Sequence, residues 1–349
     1  MAVIHSYCFL FILLFSVSVA ATVASRTPEE DLLYLPCPNP LDILPCVCSV
    51  DNETHMNMDC SDVASEEELA HVFTAYFPFF TFDRLIIKGN MYLKVLRAGD
   101  LGNASFHEFH ISDGVLEVVE EMALIGSIST ATIMYFNSNQ LTGFLFEHLY
   151  LFTRLQYLDI SFNCIQEYPF IYSQTLTYLD LSGNLFGHLP YIAFKNLPSL
   201  VFVYLDMLAI QEIEPGTFSG FESLQLVSLS HNLLTRLPEG ALEVSRPLAL
   251  LGLSYNNIGD VAVNAFSGFA NSVLYLNENA LTELEEQVWR PLLEENNYLH
   301  LRSNPLTCGC DIAWIMLNTT LLSLVSVDTT CASGETLVNL DPSYYEQLC

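Results

Sequence analysis

Leu176-Thr177-Tyr178-Leu179-Asp180-Leu181-Ser182-Gly183-Asn184-Leu185-Phe186 sets apolar residues at the first, fourth, sixth and eleventh positions and an asparagine at the ninth. Leu224, Val227, Leu229, Asn232 and Leu234 repeat that spacing. Working outward from these two stretches, the asparagine slot falls on Asn90, Gly114, Asn139, Asn163, Asn184, Leu208, Asn232, Asn256, Asn279 and Asn304, with steps of 21 to 25 residues. A period of this length means stacked turns, each laying down one short strand whose leucines hide against the turns above and below. At 349 residues the chain is also longer than one compact core usually grows. The asparagine amide stands where the chain bends away from the strand, and there it can pair backbone groups that would otherwise be buried alone. Gly114 and Leu208 lack an amide, so local interruptions are expected at those two turns.

The pattern Leu-x-x-Leu-x-Leu-x-x-Asn-x-Leu resembles the leucine-rich-repeat family. The fold expected is therefore an α/β leucine-rich-repeat solenoid, a horseshoe with a parallel concave sheet of about ten strands and an irregular or short-helical convex side. Apolar pairs at Ala193-Phe194, Thr217-Phe218, Ala241-Leu242, Ala265-Phe266 and Val288-Trp289 are expected to pack that convex side. The turn between Asn163 and Asn184 has no such pair and should be thin there.

Cysteines bracket the repeats. Cys37, Cys46, Cys48 and Cys60 precede them; Cys308, Cys310, Cys331 and Cys349 follow. A solenoid exposes the apolar cross-section of its end turns, and disulfide caps cover such ends in secreted proteins. Four cysteines allow three pairings, so spacing does not choose among them. The clusters resemble the flanking modules of extracellular leucine-rich-repeat proteins, and that resemblance implies Cys37 with Cys48, Cys46 with Cys60, Cys308 with Cys331, and Cys310 with Cys349. Zinc is the rival reading, disfavoured because no histidine stands at ligand spacing beside the cysteines. No metal and no cofactor is expected. The apolar run from Tyr7 to Ala24 reads as a secretory signal, residues 1–24, which implies a secreted, extracellular protein with no membrane span in the mature chain. The remaining divisions expected are 25–81 as N-terminal cap, 82–306 as repeats and 307–349 as C-terminal cap. Within the first cap, Ser65 followed by Glu68 reads as the capping box of an amphipathic helix. After removal of the signal, eight cysteines are used by the caps and Cys164 is left over as an unpaired, buried thiol. Sequons at Asn52, Asn103 and Asn318 are candidate glycosylation sites.

The residues that alternate with the inward leucines face the concave side, the usual binding surface of a curved solenoid. Two columns of them run through Arg84, Glu108, Ile133, Tyr157, Tyr178 and Phe202, and through Ile86, His110, Tyr135, Asp159, Asp180 and Tyr204. Tyrosine and other rigid aromatics are enriched where protein partners dock. A partner-binding strip is therefore expected at Tyr135, Tyr157, Tyr178, Phe202, Tyr204 and Tyr275, with Asp159, Asp180 and Asp206 beside it. The bland alternative is that Tyr-Leu-Asp-Leu is an ordinary strand sequence of such repeats. Acids outnumber bases 40 to 11, giving a net charge of −29, which excludes nucleic acid and anionic membrane as natural partners. The chain has no Gly-x-Ser-x-Gly, no His-Glu-x-x-His and no phosphate-cradling glycine loop, so no catalytic residue is assigned.

Beyond the repeat class, the chain is similar to the non-catalytic leucine-rich-repeat subunits of the secreted luciferases of decapod shrimp and their arthropod relatives. The segments that carry the likeness are Asp59-Cys60-Ser61, Glu67-Glu68-Leu69 through Phe77-Pro78, Gly89-Asn90 through Gly99, Val288-Trp289-Arg290-Pro291-Leu292-Leu293-Glu294, and Cys308-Gly309-Cys310-Asp311-Ile312-Ala313-Trp314. The resemblance implies a protein-binding, stabilising companion of a small secreted monooxygenase, with no chemistry of its own. The alternative is an extracellular recognition or matrix protein of adhesion or immune type with no luciferase partner.

Overall fold

The computed structural model describes residues 37–51 and 55–349. The expected signal segment 1–24, the start of the N-terminal cap and the sequon at Asn52 lie outside the described residues. The chain divides into two units, one ending at Ile165 and one running from Gln166 to Cys349.

In the first unit six strands follow one another in space in sequence order: β1 (Val47–Val50), β2 (Met56–Asp59), β3 (Thr81–Lys88), β4 (Ser105–Ser112), β5 (Ile133–Tyr135) and β6 (Tyr157–Asp159). β1 and β2 form an antiparallel hairpin, and every later pairing is parallel. Cys37–Cys48 and Cys46–Cys60 tie that hairpin to the chain around it. Helix α1 (Glu66–Val72) follows it; the Ser65 hydroxyl accepts from the Glu68 amide at 3.2 Å, which satisfies one of the free N–H groups at a helix start. Leu69 and Val72 on its inner face are buried. Behind the strands, Phe73, Phe77, Phe82, Phe106, Phe109 and Phe136 pack ring against ring with centroids 5.5–6.3 Å apart. All six are buried.

The second unit has β7 (Tyr178–Asp180), β8 (Phe202–Tyr204), β9 (Leu226–Ser228), β10 (Leu250–Gly252), β11 (Val273–Tyr275) and β12 (Tyr298–His300), all parallel and in sequence order. The central residue of each strand, from Leu179 to Leu299, is buried, and its two neighbours are for the most part only half-buried. Among the convex pairs, Phe194, Phe218, Leu242 and Trp289 are buried. Most of the convex side is turn, with short parallel pairings of Arg236-Leu237 with Asp260-Val261 and of Leu242-Glu243 with Phe266-Ser267, and with a regular helix, α2 (Glu286–Glu294), carrying Val288 and Trp289 on its buried face. Where no apolar pair precedes β7, Tyr168 fills the space: its ring meets Phe186 and Phe194 edge-on, and its hydroxyl donates to the Ala193 carbonyl at 2.8 Å.

The C-terminal segment closes the last strand. The Leu299 amide donates to Leu324 O at 2.8 Å and Leu299 O accepts from the Ser326 amide at 2.9 Å, so the edge of β12 is paired with chain. Cys308–Cys331 and Cys310–Cys349 tie this segment down, the Trp314 indole donates to Leu284 O at 2.9 Å, and the Tyr345 hydroxyl donates to Cys308 O at 3.0 Å.

The asparagines form the amide ladder. In the second unit Asn232 Nδ2 donates to Leu205 O of the preceding turn (2.8 Å) and to Leu229 O of its own (2.9 Å), while its Oδ1 accepts from the Leu208 and Ile210 amides. Asn256, Asn279 and Asn304 repeat this at 2.9–3.1 Å, and Asn139 and Asn163 do so in the first unit. At Leu208 a fully buried alkyl group takes the slot, and its backbone amide is served from the next turn by Asn232. At Gly114 the reason for the missing amide is space. A Cβ there would lie 2.8 Å from the Asn90 carbonyl oxygen and 3.0 Å from Asn139 Oδ1.

A second regularity has no counterpart in the sequence reading. The residue just before the slot is left-handed in turn after turn: Asp113, Ser138, Phe162, Met207, His231, Tyr255, Glu278 and Ser303 all have φ between 54° and 59°. Side chains rarely adopt that conformation, which costs about 1 kcal/mol or more per residue. At six of these eight positions the asparagine amide that follows braces the bend; after Asp113 and Met207 the slot holds Gly114 and Leu208, and the same backbone conformation is kept without it.

The expectation for Cys164 needs correction. No described cysteine is free, and Cys164 is disulfide-bonded. The expected leftover thiol came from counting cysteines after removal of residues 1–24, whereas the full chain holds ten.

Replacing Asn232 by leucine should lower stability by about 3 kcal/mol, because two buried amides and two buried carbonyls lose their partner at once. Leucine at 208 is accommodated because Asn232 reaches across from the next turn. Urea unfolding of Asn232→Leu against the parent chain measures this. Cys46→Ser should cost about 2–5 kcal/mol, and hydrogen exchange should show faster opening of β1 and β2 while β9–β12 keep their protection.

Candidate functional site

The strand register fixes which side chains share the face opposite the core. In the first unit Arg84, Glu108, Ile133 and Tyr157 align across β3–β6, and Ile86, His110, Tyr135 and Asp159 align beside them. Polar groups dominate one end of this face: Arg84 Nε donates to Glu108 at 2.9 Å and its Nη1 to Asp51 at 3.2 Å, and His110 Nε2 lies 2.8 Å from the same Glu108 oxygen. Burial raises the Glu108 carboxyl, but His110 and Arg84 outweigh it, so its pKa stands below the usual range. The histidine then leads into a run of rings, His110–Tyr135 at 4.9 Å and Tyr135–Tyr157 at 4.8 Å. Asp159 closes the run. Burial raises its pKa despite the Ser161 hydroxyl and amide, which donate to it at 2.6 and 2.9 Å.

In the second unit Tyr178, Phe202, Leu226, Leu250, Val273 and Tyr298 form one column, and Asp180, Tyr204, Ser228, Gly252, Tyr275 and His300 the next. Tyr178 packs against Phe202 at 6.3 Å and Tyr204 at 5.2 Å. Asp206 follows Tyr204 by two residues, and its Oδ1 accepts from the Ser228 hydroxyl (2.6 Å) and the Ser230 amide (2.7 Å). Its pKa is raised by burial, with Ser228, Ser230 and the nearby His231 pulling it back. The phenol of Tyr204 is raised by burial and by the charges of Asp180 and Asp206, so the three form one electronegative group.

The expected strip is thus brought together as two clusters, one in each unit: Tyr135, Tyr157 and Asp159 in the first, and Tyr178, Asp180, Phe202, Tyr204 and Asp206 in the second. Tyr275 stands apart from them. Two small residues, Ser228 and Gly252, separate it from Tyr204, and it stacks instead on His300 at 4.4 Å with the rings 7° from parallel. A parallel stack of His231 on Tyr255 at 4.3 Å went unseen in the sequence. Both stand at left-handed positions just before the asparagine slot, and both are exposed; the recurring spacing to the asparagine was the available signal. Among the described residues no group of histidine, cysteine and carboxylate side chains could hold a metal ion, and no helix is long and apolar enough to cross a membrane. Asn103 is exposed, whereas Asn318 caps a short helix by accepting from the Leu321 amide at 3.1 Å.

Models of the leucine-rich repeat match residues 203–258 and 175–197. The Oplophorus-luciferin 2-monooxygenase non-catalytic subunit of Oplophorus gracilirostris is 36% identical over 317 residues, covering 90% of this chain and 88% of that protein. Lumican of Mus musculus is 35% identical over 143 residues, which are 38% of this chain and 40% of lumican. Among solved structures, a chain of the octameric complex of Latrophilin 3, Unc5D and FLRT2 superposes with a TM-score of 0.65 at 19% identity, covering 87% of this chain and 98% of that one; at that identity the likeness is one of fold. With repeat, caps and a relative matched along nearly its whole length, the chain belongs to the leucine-rich-repeat family, as a homologue of the non-catalytic luciferase subunit.

Proposed function

We propose that the protein is a secreted binding subunit whose concave face holds a protein partner, and that this partner is a small secreted monooxygenase. The observation that carries the reading is the run of outward, half-buried aromatic and carboxylate side chains, with Phe202 exposed among them, on strands whose other face is committed to the core. A protein whose relative is named a non-catalytic subunit needs a surface for the catalytic one. Tyr135, Tyr157, Asp159, Tyr178, Asp180, Phe202, Tyr204, Asp206 and Tyr275 are the candidate contacts. Rigid rings with polar tips add contact area at little entropic cost, which suits them to this role.

Secretion fits the four cap disulfides, which form and persist in oxidising compartments. In this reading residues 1–24 are removed on export, 25–81 and 307–349 are the caps, and 82–306 carry the function. Glycans at Asn52, Asn103 and Asn318 would leave the strands β5–β11 bare, since none of these three positions belongs to them.

A second reading is a recognition or matrix protein with no oxidative partner, favoured by the 35% identity to lumican. Affinity isolation of the tagged chain from native secretion separates the two. A small second chain with oxygenase activity, recovered in fixed ratio, supports the first reading, and recovery of the chain alone or with matrix material supports the second. In the same experiment the double variant Tyr178→Ala, Phe202→Ala should reduce partner capture at least tenfold, with a shift in Tm of no more than a few degrees. Undiminished capture would remove the strip as the contact surface.

A further inference from the structure

The second column of the second unit has a feature that the aromatic strip does not explain. Tyr204 and Tyr275 stand like two posts, and the two positions between them are Ser228 and Gly252, the smallest side chains on that face. Adjacent parallel strands lie about 4.8 Å apart, so the posts are separated by about 14 Å of backbone with a floor too shallow to fill the gap. The floor does not tolerate much more: a Cβ on Gly252 would meet Ser228 Oγ at 2.8 Å. Leu226 and Leu250, half-buried, line the trough on the side of the first column.

Asp206 stands on the other side. The Ser228 hydroxyl and Ser230 amide both donate to Oδ1 and fix the carboxylate beside the trough. Asp180 adds a second negative charge next to the Tyr204 post. The outward positions of β7–β12 hold no lysine or arginine at all, only His300 at the far end. The trough therefore combines an apolar wall, aromatic faces and an acid that has no lysine or arginine on the strands beside it, with His231 as a nearby basic group.

We propose that this trough receives an arginine side chain of the protein partner, its alkyl stem on Leu226 and Leu250, its guanidinium between the Tyr204 ring and the Asp206 carboxylate. Arginine is favoured over lysine because its planar guanidinium both stacks on rings and pairs with a carboxylate. The inference deepens the concave-face reading and rests on it.

The test uses the full chain and a fluorescein-labelled peptide with two adjacent arginines in a glycine–serine background, followed by anisotropy in 150 mM salt. Its citrulline counterpart has nearly the same shape without the charge. Saturable binding of the arginine peptide is expected, at least tenfold weaker for the citrulline peptide. Binding should fall at least fivefold in Asp206→Asn, whose oxygen can still accept from Ser228 and Ser230, and in Tyr204→Ala. Asp260→Asn, an exposed acid off this face, should change nothing. The proposal is overturned by equal binding of both peptides, by equal losses in Asp206→Asn and Asp260→Asn, or by no saturable binding up to 5 mM. Native-partner capture by Asp206→Asn and by the Tyr178, Phe202 double variant, run in parallel, separates the two levels. Capture lost only in the double variant leaves the concave face standing without the arginine trough, while capture kept in both removes the concave face itself.

Discussion

The constraint on which the structure depends is the hydrogen bonding of the bend that ends each strand. A turn that leaves the sheet must bury its own N–H and C=O groups against the next turn, and an unpaired one costs about 1–3 kcal/mol. A single asparagine amide at the right place donates twice and accepts once or twice, binding its own turn to the preceding one, as Asn232 does. Where it is present, that bond keeps the bend tight and the strand in register with its neighbour. Register in turn places the central residue of each strand inward and its two neighbours outward, since a slip of one residue would exchange the two faces.

The same constraint explains why the surface can be rich in aromatic rings without the protein losing its fold. The inward leucines are committed to stacking, so the outward positions contribute little to the core and are free to vary. In the first unit they carry the Arg84–Glu108–His110 group beside Tyr135 and Tyr157; in the second they carry Tyr178, Phe202 and Tyr204 with their carboxylates. The two clusters differ in charge pattern although both stand on parallel strands in the same register.

Much of this was legible in the sequence because the period is long and repeats ten times over. The asparagine slot gave the strands, and alternation about the buried leucines gave the outward columns, as the registers of Tyr204 with Ser228 and of Gly252 with Tyr275 bear out. What stayed hidden depended on contacts between turns. The left-handed run before the slot accepts aspartate, serine, phenylalanine, methionine, histidine and tyrosine alike, so no residue type marks it. The turn between Asn163 and Asn184 was expected to be thin for want of an apolar pair, and Tyr168 fills a convex gap there that exists only once Phe186 and Phe194 are placed. Tyr275 shared a column with Tyr204 but not a contact, because two strands lie between them. Cys164 was expected to be free in a chain of nine cysteines, whereas in the full chain of ten it is disulfide-bonded.

The central claim is that the outward face of these strands, and not the convex side, meets the partner. Cross-linking of the native complex with a short reagent, followed by identification of the linked residues, measures that directly. The account predicts links and solvent protection on β5–β11, centred on Tyr178, Phe202 and Tyr204. Links confined to the convex turns, with the strand tyrosines as reactive to solvent label in the complex as in the free chain, would contradict it.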